Sequence, residues 1–412
     1  MRATTNRLRW WMIALVFWAT VVNYLDRQAL SVAAPVLRDE FGMSNVVYSR
    51  VVFAFLLAYT IGNAVAGPLL DRFGTRVGYA LCMAWWSAAA ILHSLATGAW
   101  SLGVARFFLG LGEAGNWPAG VKVVAEWFPQ KERALASGLF NSGSAVGAIL
   151  APPLVAWLLL QFGWKAGFIA VGVTGFVWLL AWWPSYRTPE ASAAVVRREP
   201  AVPVWLLFRQ RFVWVFTLSK VFMDPVWYFY IFWFPEYLKN SRGFDMARIG
   251  RYGWIPFLVA GAGNILGGLL SATLLRRGWS LTSSRKSAVT VFACLMTSAI
   301  PAVLVSDVGV AIGLVSLAMV GYTGSTSNML AFPADVYPRQ AVGSVYGLAS
   351  MGSGFGGMLF TLLTGWMVDS FGYRPVFMMF GLTPLICVAI LWWVLGPLER
   401  RPLPGRQEYA LQ

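Results

Sequence analysis

Long apolar stretches, separated by short polar segments, follow one another along almost the whole chain. Twelve can be drawn, near residues 10–37, 46–70, 77–97, 99–125, 134–160, 164–184, 211–238, 249–275, 287–305, 308–333, 342–368 and 374–396. Because a membrane-spanning helix needs about 20 mostly apolar residues, each stretch is long enough to cross a bilayer. The pattern therefore predicts an all-α membrane protein with twelve transmembrane helices.

The amino-acid composition supports this prediction. The 412 residues are 58% hydrophobic and 12% charged, whereas soluble domains carry about 25% charged residues. The net charge of +15 raises the alternative of a nucleic-acid-binding protein. However, Lys and Arg are more than twice as numerous at the termini and in the loops after even-numbered helices as in the other loops. This asymmetry is typical of a membrane protein with both termini in the cytoplasm, so we expect a lipid bilayer and no nucleic acid as its surroundings.

The two halves of the chain share one sequence pattern. Several glycines of the first half recur 209 residues later: Gly143, Gly147 and Gly163 match Gly352, Gly356 and Gly372. The repeat indicates two parallel six-helix halves. We therefore predict an N-terminal six-helix bundle at 1–184, a polar cytoplasmic linker at 185–210, a C-terminal six-helix bundle at 211–396 and a cytoplasmic tail at 397–412.

Ionisable residues interrupt two of the predicted helices, with Asp26 and Arg27 in the first and Arg106 and Glu113 in the fourth. A charge near the bilayer centre costs about 2.5–3.5 kcal/mol on insertion scales, so such residues indicate a polar functional site between helices. A guanidinium stays charged and binds a carboxylate through two hydrogen bonds, which makes Arg27 and then Arg106 candidates for an anionic solute.

The two carboxylates of this set are candidates for proton coupling. Their proton affinity changes with burial and with a nearby arginine, so Asp26 and Glu113 can exchange protons as their surroundings change. Arg106 and Glu113 are seven residues apart, which places them on one helix face. A static ion pair that only fixes helix packing stays the alternative for them.

The seventh predicted helix has a polar cluster of its own. Lys220 and Asp224 have the i,i+4 spacing of an ion pair, and Pro225 predicts a bend or break in the helix. Asp224 therefore either supports proton coupling or stabilises the bend, and the sequence leaves both open. Other residues in the predicted helices suit the hydroxyl groups of a small solute, namely Asn141, Trp227, Tyr228, Asn264, Tyr322 and Asn328.

Other classes of chemistry find no support in the sequence. The three Cys residues lie in apolar stretches, without the spacing of a metal site or of a disulfide framework. No nucleophile triad and no phosphate-binding loop can be identified in the sequence. We therefore expect a protein that is not an enzyme and that binds no metal and no cofactor.

The segment GPLLDRFGTR at 67–76 lies between the second and third predicted helices. It resembles the motif of the major facilitator superfamily, which has a Gly, an Asp-Arg pair, a second Gly and a basic residue. The resemblance implies the two-bundle fold of that superfamily and a gating role on the cytoplasmic face for Asp71, Arg72 and Arg76. In the second half Ser271 stands where the motif has Asp, so the motif there is degenerate.

Four further segments are similar to the anion:cation symporter family of this superfamily, and most of all to its hexuronate-transporter branch. They are NYLDRQALSVAAP (23–35), GEAGNWPAG (112–120), EWFPQKERALASGLFNSGSAVGA (126–148) and DPVWYFYIFWFPEYL (224–238). That family moves organic anions together with protons. The resemblance implies that Arg27 binds the substrate, that Asp26 and Glu113 couple protons, and that Tyr59 lines the substrate site.

We therefore expect a monomeric secondary transporter of a bacterial cytoplasmic membrane. It would import a hexuronate or a related sugar acid by proton symport and alternating access, with sodium left open as a coupling ion. The alternative is a superfamily exporter that works by proton antiport. The fifth predicted helix lacks the Gly-Pro pair that is usual in such exporters, and two intramembrane arginines would repel a cation.

Overall fold

A computed structural model describes residues 2–128, 133–187, 204–337 and 339–399, and it gives them an almost wholly helical structure. The helices of the first half are α1 (Arg2–Phe41), α2 (Asn45–Leu92), α3 (Ala99–Glu113), α4 (Asn116–Trp127) and α5 (Arg133–Ser185). After a short helix, α6 (Val204–Phe208), those of the second half are α7 (Arg211–Met223), α8 (Pro225–Arg242), α9 (Met246–Tyr252), α10 (Ile255–Arg276), α11 (Leu281–Met296), α12 (Ala299–Leu304), α13 (Val308–Met329), α14 (Phe332–Val336), α15 (Arg339–Phe371) and α16 (Tyr373–Ala389).

These helices account for the twelve predicted segments. Gly74 in α2 and Gly163 in α5 have φ values of 74° and 78°, so each of these long helices is divided into two segments. Conversely, the fourth predicted segment consists of α3 and α4, and the seventh of α7 and α8. Eight helical stretches of the described chain are by themselves long and apolar enough to span a bilayer.

Backbone contacts divide the chain into two compact units. The first comprises the described parts of Met1–Arg197 together with Phe229–Trp254 and Thr361–Asp369. The second comprises those of Arg198–Tyr228, Ile255–Phe360 and Ser370–Gln412. Most of the predicted linker and tail lies outside the described residues, and the predicted domain boundaries stay a prediction.

Glycines set the closest helix contacts of the first unit, where α1 packs along α5 and α2 packs along α3. A Cβ atom at Gly143 of α5 would lie 2.5 Å from the Phe17 carbonyl oxygen, and one at Gly147 would lie 2.7 Å from that of Val21. Because both distances are shorter than van der Waals contact, only glycine allows the backbones of α1 and α5 to approach this closely.

The second unit contains the same packing between α7 and α15. A Cβ atom at Gly352 would lie 2.2 Å from the Thr217 carbonyl oxygen, and one at Gly356 would lie 2.4 Å from that of Val221. In both units, two glycines four residues apart therefore leave room for two backbone carbonyl groups of a neighbouring helix. That helix is α1 in the first unit and α7 in the second. The internal repeat seen in the sequence is confirmed at the level of helix packing.

The turn before the last helix of each half is also repeated. Gly163 has φ 78° and ψ 167°, and Gly372 has φ 76° and ψ −167°. A positive φ of this size favours glycine, because a side chain would crowd the backbone. The match of these two residues in the sequence therefore reflects one backbone turn that occurs twice.

Candidate functional site

Four ionisable side chains come together inside the first unit. Asp26 and Arg27 lie on α1, Arg106 and Glu113 lie on α3, and none of the four is more than 4% exposed. Asp26 interacts electrostatically with both Glu113 and Arg106. The predicted grouping of these charges into one buried polar site is therefore found in the structure.

The main contact of this cluster joins Arg27 to Glu113. The Nε and Nη2 atoms of Arg27 both donate to Oε2 of Glu113, at 3.1 and 2.9 Å. Two charge-assisted hydrogen bonds to one carboxylate oxygen hold the guanidinium in a defined orientation. This ion pair links α1 to α3. In it, Glu113 binds the Arg27 guanidinium, which the sequence indicates as the anion-binding group.

Aromatic rings surround the Arg27 guanidinium. Its carbon atom lies 4.7 Å from the ring centre of Tyr59, 5.2 Å from that of Phe55 and 5.3 Å from that of Tyr24. Rings within about 6 Å stabilise a cation through their negative faces. The predicted site residue Tyr59 therefore does contact Arg27, and it is partly exposed, whereas Phe55 is buried.

Arg106 makes weaker contacts than Arg27. Its Nη1 and Nη2 atoms lie 3.4 Å from the carbonyl oxygens of Arg27 and Asp26, the upper end of the range for a hydrogen bond. Its Nε atom has no hydrogen-bond partner in the described structure. Arg106 and Glu113 share a helix face, as predicted, but Arg27 is the arginine whose hydrogen bonds reach the Glu113 carboxylate.

Several polar atoms of this site are buried without a hydrogen-bond partner among the described residues. They include both carboxylate oxygens of Asp26, Oε1 of Glu113, and both side-chain polar atoms of Asn23. Buried polar atoms in proteins are nearly always hydrogen-bonded. The unsatisfied oxygens therefore mark positions where a proton, a water molecule or a polar ligand group fits.

The position of α3 depends on a close backbone contact at Gly110. A Cβ atom there would lie 2.5 Å from the Phe55 carbonyl oxygen and 3.0 Å from the Tyr59 amide nitrogen, both in α2. Gly110 lies between Arg106 and Glu113, so this contact sets how close the α3 backbone that carries both side chains lies to α2. The absence of a side chain at Gly110 is therefore part of the site.

We expect Gly110→Ala to lower the thermal unfolding temperature of the purified protein. The added methyl group would force α3 away from α2, and such overpacking costs about 1–3 kcal/mol. Gly103→Ala is the matched control on the same helix, because a Cβ atom there meets nothing within 4 Å. Alanine favours an open helical position by up to about 1 kcal/mol, so the control is expected to unfold at the same or a higher temperature. Equal effects of the two changes would contradict this account.

The second unit contains the other predicted cluster. The helix is interrupted at Asp224, between α7, which ends at Met223, and α8, which begins at Pro225, as the proline predicts. Lys220 Nζ lies 2.7 Å from Oδ2 of Asp224, so the predicted i,i+4 ion pair is confirmed. Ser353 of α15 donates to the same oxygen.

The residues predicted to bind hydroxyl groups divide into two sets. Trp227 and Tyr322 stack with ring centres 5.2 Å apart and planes 14° apart. The Tyr322 hydroxyl lies 3.4 Å from an oxygen of Asp224, and Tyr228 is half-buried on the same helix as Trp227. Asn264 and Asn141 are exposed, on α10 and α5 respectively.

Asn328 has a structural contact instead. Its Nδ2 atom donates to the carbonyl oxygens of Gly267 and Gly324, at 2.9 and 3.1 Å, and thereby ties α13 to α10. Its Oδ1 atom lies 3.5 Å from a guanidinium nitrogen of Arg285. Both ends of the amide are thus occupied by groups of the protein.

The predicted gating motif is only partly described. The side chains of Asp71 and Arg72 lie outside the described part of the structure. Arg76 donates to the carbonyl oxygen of Trp183 at 2.7 Å, and its guanidinium lies 4.8 Å from the Trp183 ring. The contact shown for Arg76 is therefore a helix-to-helix contact between α2 and α5.

A polar cluster near this motif joins α2, α4 and the end of α5. Thr75 donates to Oε1 of Glu126 at 2.6 Å, and the Tyr186 hydroxyl donates to the other oxygen. Burial, together with the adjacent carboxylate, raises the pKa of Tyr186 above its usual range. Tyr186 therefore remains a hydrogen-bond donor at physiological pH.

Two contributors to the clusters were not among the predicted site residues. Phe55 lies in an apolar stretch where aromatic residues are common, so a single sequence gives no reason to select it. Ser353 lies in the repeat, opposite Ser144, and the repeat was the only signal that marked it. The structure selects both because it places them against Arg27 and Asp224.

The fold and the buried charged site together define a multi-pass membrane transporter. The sequence model of the Major Facilitator Superfamily matches residues 16–331 and 279–410. The hexuronate transporter of Escherichia coli K12 is 35% identical over 94% of each chain. The galacturonate transporter of Dickeya chrysanthemi is 36% identical over 70% of this chain and 89% of its own.

Solved structures agree on the fold. The crystal structure of a D-xylose-proton symporter superposes with a TM-score of 0.77 at 14% identity, covering 94% of this chain and 98% of that one. The chain therefore belongs to the Major Facilitator Superfamily, and the predicted twelve-helix fold is confirmed. Because its named relatives are transporters, the prediction that the protein is not an enzyme is confirmed as well.

Proposed function

We propose that the protein imports a hexuronate, or a closely related sugar acid, by proton symport across a bacterial cytoplasmic membrane. The observation that supports this most is the buried Arg27–Glu113 pair beside an Asp26 carboxylate without hydrogen-bond donors among the described residues. The similar hexuronate and galacturonate transporters support the substrate class. In this proposal Arg27 is the anchor of the substrate carboxylate.

Competition for Arg27 provides the coupling. Glu113 and the substrate carboxylate require the same two guanidinium donors, so only one of them binds Arg27 at full strength. Protonation of Glu113 removes its charge and releases Arg27 to the anion. By linkage, the bound anion in turn favours the protonated form of Glu113. Proton and sugar acid therefore bind together, which is the requirement for symport.

Asp26 and Arg106 complete the proposed site. Asp26 takes up a second proton, because its two oxygens have no donors in the described part of the chain and its neighbour Glu113 is also acidic. Arg106 adds a second positive charge that attracts the anion. Import of more protons than anionic charges would be assisted by the membrane potential, by about 2.3 kcal/mol per charge per 100 mV.

Alternating access requires helices that bend near the site. Breaks lie between α3 and α4, next to Glu113, and between α7 and α8, next to Asp224. Broken helices at such depths are typical of transporters, since the freed backbone groups line a polar cavity. These two breaks are the proposed positions of movement.

Uptake by the purified protein in liposomes tests the proposal. Labelled D-galacturonate is expected to accumulate when the outside is acidic, and to equilibrate without accumulation when an ionophore removes the proton gradient. A sodium gradient at equal pH tests sodium as the coupling ion. Accumulation of an organic cation on the acidic side, against the inward flow of protons, with no galacturonate uptake, would favour the antiport alternative.

A further inference from the structure

Asp224 differs from Asp26 in its hydrogen bonds. Its Oδ2 atom accepts from the Lys220 ammonium at 2.7 Å and from the Ser353 hydroxyl, and its Oδ1 atom lies 3.4 Å from the Tyr322 hydroxyl. Asp26 is equally buried, but its oxygens have no donor in the described structure. The oxygens of Asp224 are thus faced by groups of α7, α13 and α15.

Lys220 is the charged partner of Asp224 in this cluster. The Lys220 ammonium lies 5.4 Å from the ring centre of Tyr346 on α15, and it also interacts with Tyr228 on α8. Cys387 on α16 lies close enough to Asp224 for an electrostatic interaction.

The Tyr322 ring connects this ion pair to a half-buried aromatic surface. It stacks on Trp227, and both rings are partly exposed. The apolar C–H faces of a sugar ring pack well against such aromatic faces, and the hydroxyl end of Tyr322 provides a hydrogen-bonding group beside them. The orientation of Tyr322 depends on the Asp224 oxygen that its hydroxyl faces.

We propose that Asp224 is a positioning residue whose side-chain oxygen fixes Tyr322 for contact with the sugar ring, and that it does not transfer the coupling proton. The inference rests on the proposed function, because it requires a sugar acid as substrate. It excludes proton coupling, which is one of the two roles that the sequence leaves open for Asp224.

Three variants separate these roles. K220M/D224N removes both charges but keeps an acceptor oxygen for Tyr322, whereas K220M/D224L removes the charges and the acceptor. Y322F keeps the ring and the ion pair but removes the hydroxyl. For each, we would measure the Kd of D-galacturonate and of D-glucuronate, which differ in one hydroxyl configuration, and the accumulation driven by a pH gradient. Thermal unfolding of each variant shows that it is folded.

We expect K220M/D224N to retain both the gradient-driven accumulation and the wild-type ratio of the two Kd values. Y322F and K220M/D224L are each expected to change that ratio by about fivefold, as the loss of one hydrogen bond would. If K220M/D224N exchanges substrate but no longer accumulates it, Asp224 transfers protons and the inference is overturned. Equal weakening of both Kd values by Y322F and K220M/D224L would also overturn it, because that result indicates a purely structural role.

The wild-type measurement separates this inference from the proposed function. A wild-type protein that binds neither acid would overturn the proposed function and this inference with it. A wild-type protein that binds both acids, combined with loss of coupling in K220M/D224N, would overturn only the positioning role of Asp224.

Discussion

Replacement of Arg27 by alanine is expected to abolish measurable binding of a sugar acid. Arg27 provides two parallel donors inside a ring of aromatic side chains, and water does not replace them in a buried site. Removing one partner of a buried charge pair costs about 2–5 kcal/mol, which corresponds to a loss of affinity of about 30-fold to several thousandfold. Titration calorimetry of the purified variant with D-galacturonate at acidic pH measures this loss.

Two further variants test whether the loss of binding is specific to the Arg27 guanidinium. Arg27→Lys keeps the charge but loses the planar fork, so we expect an affinity between those of the wild type and the alanine variant. Arg285→Ala removes a guanidinium from an ion pair with Asp335, at 3.0 Å in the second unit, and is expected to leave anion binding intact. Wild-type affinity in Arg27→Ala would show that the anion is anchored elsewhere.

The fold was predictable because bilayer thickness fixes helix length. Twelve apolar stretches, the proline at position 225 and the repeated glycines each have one physical cause that acts within a short segment. Gly163 and Gly372 matched in the sequence because one backbone turn requires glycine in both halves. Local features of this kind are visible in a single sequence.

The partner of Glu113 was not predictable in the same way. Residue spacing shows that Arg106 and Glu113 share a face of α3, but it does not show how α3 is rotated against α1. That rotation depends on contacts such as the one at Gly110, where the backbone of α3 meets Phe55 in α2. In the structure, Glu113 therefore pairs with Arg27, a residue 86 positions away in the chain.

Polar residues of single helices show the same limit. Asn141, Asn264 and Asn328 were all predicted to face a substrate, since each interrupts an apolar stretch. Two of them are exposed, and Asn328 holds two backbone carbonyls of the protein. In a membrane helix with apolar residues on every side, the hydrophobic pattern does not identify the inward face, so the sequence does not show which of these asparagines reaches a substrate.

Glu113→Gln is expected to separate anion binding from the proton gradient. In the wild type, protonation of Glu113 frees Arg27, so anion affinity should rise as the pH falls, by at most about tenfold per pH unit for one linked proton. Glutamine carries no charge at any pH and competes weakly for Arg27. The variant should therefore bind the anion with the high affinity of the acidic wild type, and this affinity should vary less with pH than that of the wild type.

Transport by Glu113→Gln follows from the same competition. Exchange of labelled for unlabelled anion should continue, because Arg27 is still present, while accumulation driven by a pH gradient should fall below the wild-type level, because the proton of Glu113 is lost. Glu236→Gln is a suitable control, since Glu236 is a buried carboxylate of the first unit that pairs with a different arginine, Arg38. If Glu113→Gln kept the wild-type pH dependence of anion binding and the wild-type accumulation, the competition for Arg27 would not be the source of coupling, and Asp26 would remain as the proton carrier.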